Sequence, residues 1–300
     1  MTHVATLISN PAAPALDDAV LARTRAALPS AKDPHWLDPG IAADILFTPA
    51  AGFDQRALAG QVRLSLAGGP VDVVVQPVSH RRKRLLLADM DSTMIGQECI
   101  DELADHAGFR AHVAAITERA MRGEIAFELA LRERVALLKG LPQTVIGEVI
   151  RQRIVLTPGG RTLVATMRAH GAYTCLVSGG FTLFTQTIGA MIGFDEDRSN
   201  ILLVDGDAKF SGRVAEPVLG REAKLDALRE LQKRLGLVPE ETMAIGDGAN
   251  DIPMIEAAGL GVSYHGKPAV AQAAAARIDH GDLTALLYAQ GYPRTAFVIP

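Results

Sequence analysis

The sequence predicts an α/β protein: a doubly wound parallel sheet with an α-helical insertion after its first strand, preceded by a smaller α+β unit. Three observations predict it. From Leu85 onward, short apolar runs ("LLLA", "YTCLV", "TMAIG") alternate with helical patterns, as buried parallel strands covered on both faces do. Residues from about 97 to 153 hold helical patterns and no strand candidate. The first eighty residues have a different rhythm, running strand, helix, strand, strand, helix, strand.

Taken in order, "HVATLIS" reads as a strand, and "LDDAVLARTRAAL" as an amphipathic helix with Val20, Leu21, Thr24 and Leu28 near helical spacing. "HWLDPGIAADILF" gives two extended runs split by Pro39-Gly40, a hairpin signal. "DQRALAGQVRLSLAG" is a second helix, and the valine-rich "VDVVVQPV" closes the unit as a strand. That order is the ferredoxin-like arrangement. The basic run "HRRKR", residues 80–84, reads as a solvated linker rather than a nucleic-acid patch, because it is short and abuts a strand. Later, "NILLVDGDAKFSGRV" reads as a hairpin turning at Asp205-Gly206-Asp207. "REAKLDALRELQKRLG" is a helix with Leu225, Leu228 and Leu235 on one face. The tail "GYPRTAFVIP" carries β-forming residues.

With 300 residues, 48% apolar and 21% charged, the chain is long enough for two domains and reads as globular. A net charge of −4 argues against a general nucleic-acid binder. Cys99 and Cys175 fit reduced, buried thiols, with no disulfide or zinc spacing. No apolar run is long enough to span a bilayer, and the start has no basic region followed by a long apolar segment. A cytoplasmic location with no membrane partner is the expectation.

Ligands on open parallel sheets bind beyond the carboxyl ends of the strands. Here the apolar strands end in Asp89, Ser178 and Asp247, which should meet along one edge. Residues i and i+2 of an extended chain face the same side, so Asp89 and Asp91 share a pocket and Met90 turns away. "VSGGF" offers a hydroxyl and backbone N–H groups that can approach an anion closely. Lys224 sits early in a predicted helix, where the helix dipole disfavours a cation. "GDGAND" gathers Asp247, Asn250 and Asp251, an oxygen-rich set that suits a hard cation.

"DMDST", then Ser178, then Lys224, then "GDGAND", in that order, resembles the haloacid dehalogenase (HAD) superfamily over residues 85 to about 290. "DMDSTMIGQECIDELA", "MRGEIAFELALRERVALLKG", "VSGGF" and "GDGANDIPMI" are similar to its phosphoserine phosphatase branch. The resemblance implies a HAD-type Rossmannoid core with a helical cap at about 97–153, residues 81–300 forming the phosphatase domain and residues 1–80 an ACT-like unit, regulatory or dimerising. It implies Asp89 as nucleophile, with Asp91 as general acid and then base. It further implies Mg2+ held by Asp89, Asp247 and the Asp91 carbonyl, with Asp251 supporting from behind. Ser178, Gly179 and Lys224 would hold the phosphoryl oxygens, with Lys224 keeping Asp89 ionised.

Phe127, Leu131, Arg134 and Leu138 fall on one helical face, where an arginine interrupts an apolar stripe. By the same resemblance Arg134 takes a substrate carboxylate and Glu98 its ammonium. Met121 and Phe127 close over the substrate, and Asn250 joins the binding set. O-phospho-L-serine is the substrate so implied, its hydrolysis being the last step of serine synthesis. The alternatives are a phosphotransferase or phosphatase acting on another small phospho-amino acid or homoserine, and an amino-acid-sensing module with a vestigial core. A homodimer through the first unit is also an expectation.

Overall fold

The computed structural model describes residues 1–121 and 124–300, the Met121 side chain excepted. The chain opens with β1 (His3–Ser9), α1 (Asp18–Ala27), β2 (His35–Asp38), β3 (Ala42–Phe47), α2 (Gln55–Ser65) and β4 (Val71–Pro77). Asp17 and Asp54 start the two helices by accepting hydrogen bonds from the first-turn N–H groups, which an N-cap aspartate is suited to do. The strands form an antiparallel sheet in the order β2-β3-β1-β4. One face, with Leu7, Ile45, Phe47, Val73 and Val75, packs on the helices around Leu21 and Val62.

The other face breaks the usual alternation. Thr6, Asp44, Asp72 and Gln76 point there and are buried. They are buried against the C-terminal part of the chain. Arg81 donates to both Asp44 oxygens at 2.7 Å, and also to Thr6 Oγ1 and the carbonyls of Tyr288 and Ala289. Asp72 accepts from the amides of Asp279, His280 and Gly281. Lys83 is buried and donates to the Glu240 carbonyl at 2.7 Å. The expectation of a solvated linker at 80–84 is therefore wrong for Arg81 and Lys83. Their charges are satisfied by groups distant in sequence, while His80, Arg82 and Arg84 stay exposed. Pairing of two copies through this unit would have to use the β2 edge or the helical face. Arg81→Ala would leave Asp44 buried without its cation. A loss of about 3 kcal/mol in unfolding free energy is expected, read from the denaturant midpoint.

Next come β5 (Leu85–Ala88), the helices α3 (Cys99–His106), α4 (Arg110–Met121), α5 (Phe127–Ala136), α6 (Val145–Arg153) and α7 (Gly160–Ala169), then β6 (Tyr173–Phe181), α8 (Thr182–Ile192) and β7 (Glu196–Asn200). The hairpin β8 (Leu202–Val204) and β9 (Phe210–Val214) follows, then α9 (Arg221–Leu235), β10 (Thr242–Gly246), α10 (Ile252–Ala257), β11 (Leu260–Tyr264), α11 (Pro268–Ala273), β12 (Ala276–Ile278) and α12 (Ala285–Ala289). Among the described residues the large sheet has six strands, β12-β11-β10-β5-β6-β7, parallel throughout. Leu85, Leu87, Cys175 and Val177 face α9 and α10, while Leu86, Ala88 and Leu176 face α7 and α8. The two-residue period thus fills two apolar layers, which makes the sheet doubly wound. No helix among the described residues is long and apolar enough to cross a membrane.

One local reading changes, one holds and one is filled in. On α9 the buried face is Ala227, Leu228 and Leu231, around Lys224, while Leu225 and Leu235 are only partly covered. The β8–β9 hairpin turns where expected, with Asp205 accepting from the amides of Asp207 and Lys209, and it packs on the insertion, where Gly140 N donates to Phe210 O. The tail forms a short 3-10 turn, Arg294–Ala296, and no strand. Phe297 packs against Tyr288 there.

Candidate active site

The strands β10, β5 and β6 lie side by side, and their carboxyl ends bring Asp247, Asp89 and Ser178 to one edge. The chain leaves β5 through an irregular turn in which Ser92 adopts φ +55°. This turn carries Asp89 and Asp91 into the same cavity of about 220 Å3, while Met90 is fully buried outside its lining. Ser178, Gly179, Asp247 and Asn250 line the core side of the cavity, and Glu98, Phe127 and Arg134 come from the insertion. Lys224 and Asp251 stand behind the lining. Lys224 Nζ is 2.5 Å from Asp89 Oδ1 and 2.6 Å from Asp251 Oδ1, and all three side chains are buried. Met121 as a closing residue lies outside the described side chains.

The site holds more acid than base. Burial disfavours the Lys224 charge, but the carboxylates of Asp89 and Asp251 outweigh it and hold the ammonium above its ordinary pKa. Burial, then the Asp251 charge, pushes the Asp89 carboxyl well above its usual range, with Lys224 pulling the other way. Lys224 thus favours the ionised form, in the expected sense, against the burial and the Asp251 charge that oppose it. Asp247 is pushed up to about 6 by burial and then by Asp251. Asp91 is pushed up to about 7, first by burial and then by the Glu98 charge. Its Oδ1 is buried and has no hydrogen-bond partner.

One oxygen each of Asp89, Asp247 and Asp251 lies within 4.8 Å of the others. Clustered hard oxygen donors that repel one another fit a small divalent cation. Asp251 also spends its oxygens on Lys224 and on the Gly248 amide at 3.0 Å.

Ser178 Oγ accepts from the Gly180 amide at 2.9 Å, and Asn200 Nδ2 donates to the Gly179 carbonyl at 2.9 Å. Asn200, buried at the end of β7, also accepts from Leu219 N at 2.6 Å. It ties the Gly179 turn to the segment before α9, a role the sequence did not signal. Phe127 lies over Gly179 and Gly220, where a Cβ would sit 3.6 Å from its ring. That is ordinary van der Waals contact, so the ring packs on the strand ends without depending on the absence of a side chain.

Arg134 is largely withdrawn from solvent, and burial lowers its pKa. Its Nε donates to the Ala130 carbonyl at 3.3 Å. Among the described residues no carboxylate forms an ion pair with it, though Asp101 and Glu98 act on it from a distance. Glu98 accepts from Ser92 Oγ at 2.8 Å. Lys267, which the sequence reading missed, also lines the cavity. "SYHGKP" resembles any polar turn after a strand, and only the sheet order brings it beside Asp247.

A model of haloacid dehalogenase-like hydrolases matches residues 86–256. A phosphoserine phosphatase of Polaromonas sp. (strain JS666) is 47% identical over 209 residues, 68% of this chain and 88% of that one. Among solved structures, a HAD family hydrolase of Salmonella enterica serovar Typhi superposes with a TM-score of 0.83 at 28% identity, covering 96% of this chain and 97% of that one. A substrate-bound phosphoserine phosphatase complex gives a TM-score of 0.63 at 38% identity, covering 69% of this chain and 97% of that one. The chain belongs to the haloacid dehalogenase-like hydrolases.

Proposed function

We propose that the chain hydrolyses O-phospho-L-serine to L-serine and phosphate through an aspartyl-phosphate on Asp89. The observation that carries this reading is a mostly buried guanidinium, Arg134, without an ion pair among the described residues, in the same cavity as Glu98 and the Asp89–Asp91 pair. A buried cation without a counter-ion is costly. A carboxylate brought by the substrate would supply one, in two charge-assisted hydrogen bonds. Glu98 would take the ammonium of the same zwitterion, and Phe127 would cover it.

In the first step an Asp89 oxygen bonds to phosphorus as the serine oxygen departs, and that oxygen takes the proton from Asp91. A carboxyl with a pKa of about 7 is still partly protonated near neutrality, as a general acid must be. In the second step Asp91, now a carboxylate, takes a proton from water, whose oxygen attacks phosphorus. The Asp89–phosphate bond breaks and releases phosphate. Ser178, the Gly179 amide and Lys224 would steady the non-bridging oxygens, with Asn250 beside them. Mg2+ would be held by Asp89, Asp247 and the Asp91 carbonyl, with Asp251 supporting; when bound, it offsets the excess negative charge and polarises the phosphoryl group.

Phosphate release from O-phospho-L-serine, O-phospho-L-threonine and an aryl phosphate, with magnesium and with chelator, tests the reading. Magnesium-dependent release that prefers phosphoserine is the expected result. Release from the aryl phosphate alone would keep the aspartate chemistry and sink the substrate assignment.

A further inference from the structure

The cavity must admit a phosphate dianion past the carboxylates of Asp89, Asp91 and Asp247. Lys224 would meet it only at the floor of the site, from behind the lining, where its ammonium is shared with Asp89 and Asp251. Of the cations that line the cavity, Arg134 belongs to the insertion and Lys267 to the core side. The Lys267 ammonium forms a long ion pair with Asp247 Oδ2 at 4.0 Å, beyond hydrogen-bond distance, and its side chain is 62% exposed. A pairing this loose leaves its N–H groups able to meet an anion as well.

Its root is fixed. The Lys267 amide donates to the Asp247 carbonyl at 3.1 Å, and the His265 amide to the Ile278 carbonyl at 2.8 Å. The His265 ring nitrogen sits 3.0 Å from the Gly281 carbonyl. His265 itself takes φ +44°, a conformation rare for a side-chain-bearing residue, and it persists here because these bonds hold the loop. At Gly266 a Cβ would meet Ser263 Oγ at 2.3 Å, so the close turn needs glycine.

We propose that Lys267 is a further substrate-binding residue, a cation at the cavity mouth that contacts the phosphate group of the incoming ester and of the departing phosphate ion. This inference rests on the phosphatase reading. Because the group is exposed, its attraction is screened by salt. It recognises phosphate only and should not distinguish the alcohol attached.

The test compares Lys267→Ala and Lys267→Arg with the wild type. For Lys267→Ala, kcat/KM is expected to fall about fivefold, mostly through KM, and equally for O-phospho-L-serine and an aryl phosphate. The inhibition constant of inorganic phosphate should rise by a similar factor, and the salt dependence of kcat/KM should flatten. Lys267→Arg should restore most of the loss. Unchanged KM and unchanged phosphate inhibition in Lys267→Ala would overturn the proposal. So would a loss that the arginine variant does not recover. A wild type that hydrolyses the aryl phosphate but not phosphoserine would overturn the substrate reading instead, and the aryl ester and phosphate inhibition would still decide the role of Lys267.

Discussion

Asp89→Asn is expected to lower turnover of O-phospho-L-serine by at least ~10,000-fold, about 5 kcal/mol of barrier. The amide cannot form the acyl-phosphate, and no neighbouring group substitutes for it. Asp91 has the chemistry but serves the leaving group, and Asp251 is occupied by Lys224 and the Gly248 amide. The variant should not unfold more easily. Burial and the Asp251 charge already oppose ionisation of Asp89, so a neutral residue relieves repulsion in a cluster that has an excess of acid. The asparagine oxygen can still accept from Lys224. Without metal, its Tm should therefore match or exceed that of the wild type, while the rise in Tm on adding magnesium should shrink. Appreciable turnover in clean protein would remove Asp89 as nucleophile. A lower Tm would show that the Lys224 ion pair outweighs the repulsion.

Arg134→Ala is expected to reduce kcat/KM for O-phospho-L-serine by ~30- to 1,000-fold, the range for truncating one partner of a desolvated charge pair. Most of that loss should be in KM, because the carboxylate lies away from the bonds that change. An aryl phosphate, which has no carboxylate to lose, should be hydrolysed within about threefold of the wild-type rate. Stability should fall only modestly, by the lost packing of the stem and the hydrogen bonds to Ala130 and Thr117, since among the described residues the guanidinium has no ion pair. Equal losses on both substrates would place Arg134 in the general architecture of the cavity and not in substrate choice.

The reaction edge was legible in the sequence because each apolar run stops at a polar residue. Strand alternation points Asp89 and Asp91 the same way, and the turn that replaces the strand after Ala88 keeps both in one cavity. Lys224, a cation at the wrong end of a helix, looks like an ordinary surface lysine by itself and was legible only through its order among the other motifs. What could not be read depends on contacts between distant segments. Arg81 and Lys83 look solvated until Asp44 and the carbonyls of Glu240, Tyr288 and Ala289 are beside them. The polar residues of the first sheet gave no sign of burial, because an unpartnered face and a docked face can share one alternation. Lys267 sits in an ordinary turn whose importance comes from β11 lying next to β10. The tail's β-forming residues were a sound local preference, but Pro293 and the packing of Phe297 on Tyr288 override it.

The Asp72 carboxylate carries a consequence for how this protein can be cut or recombined. It accepts from three successive amides, Asp279, His280 and Gly281, and the carbonyl of the last of these holds the His265 ring. Excising the first eighty residues would strip the splint from the segment that braces the Lys267 turn, and leave those amides to water. A leader grafted in its place would restore that support by presenting a carboxylate at the same spot. The leading segment thus steadies a turn at the cavity, even though the reacting groups all lie beyond it in the chain.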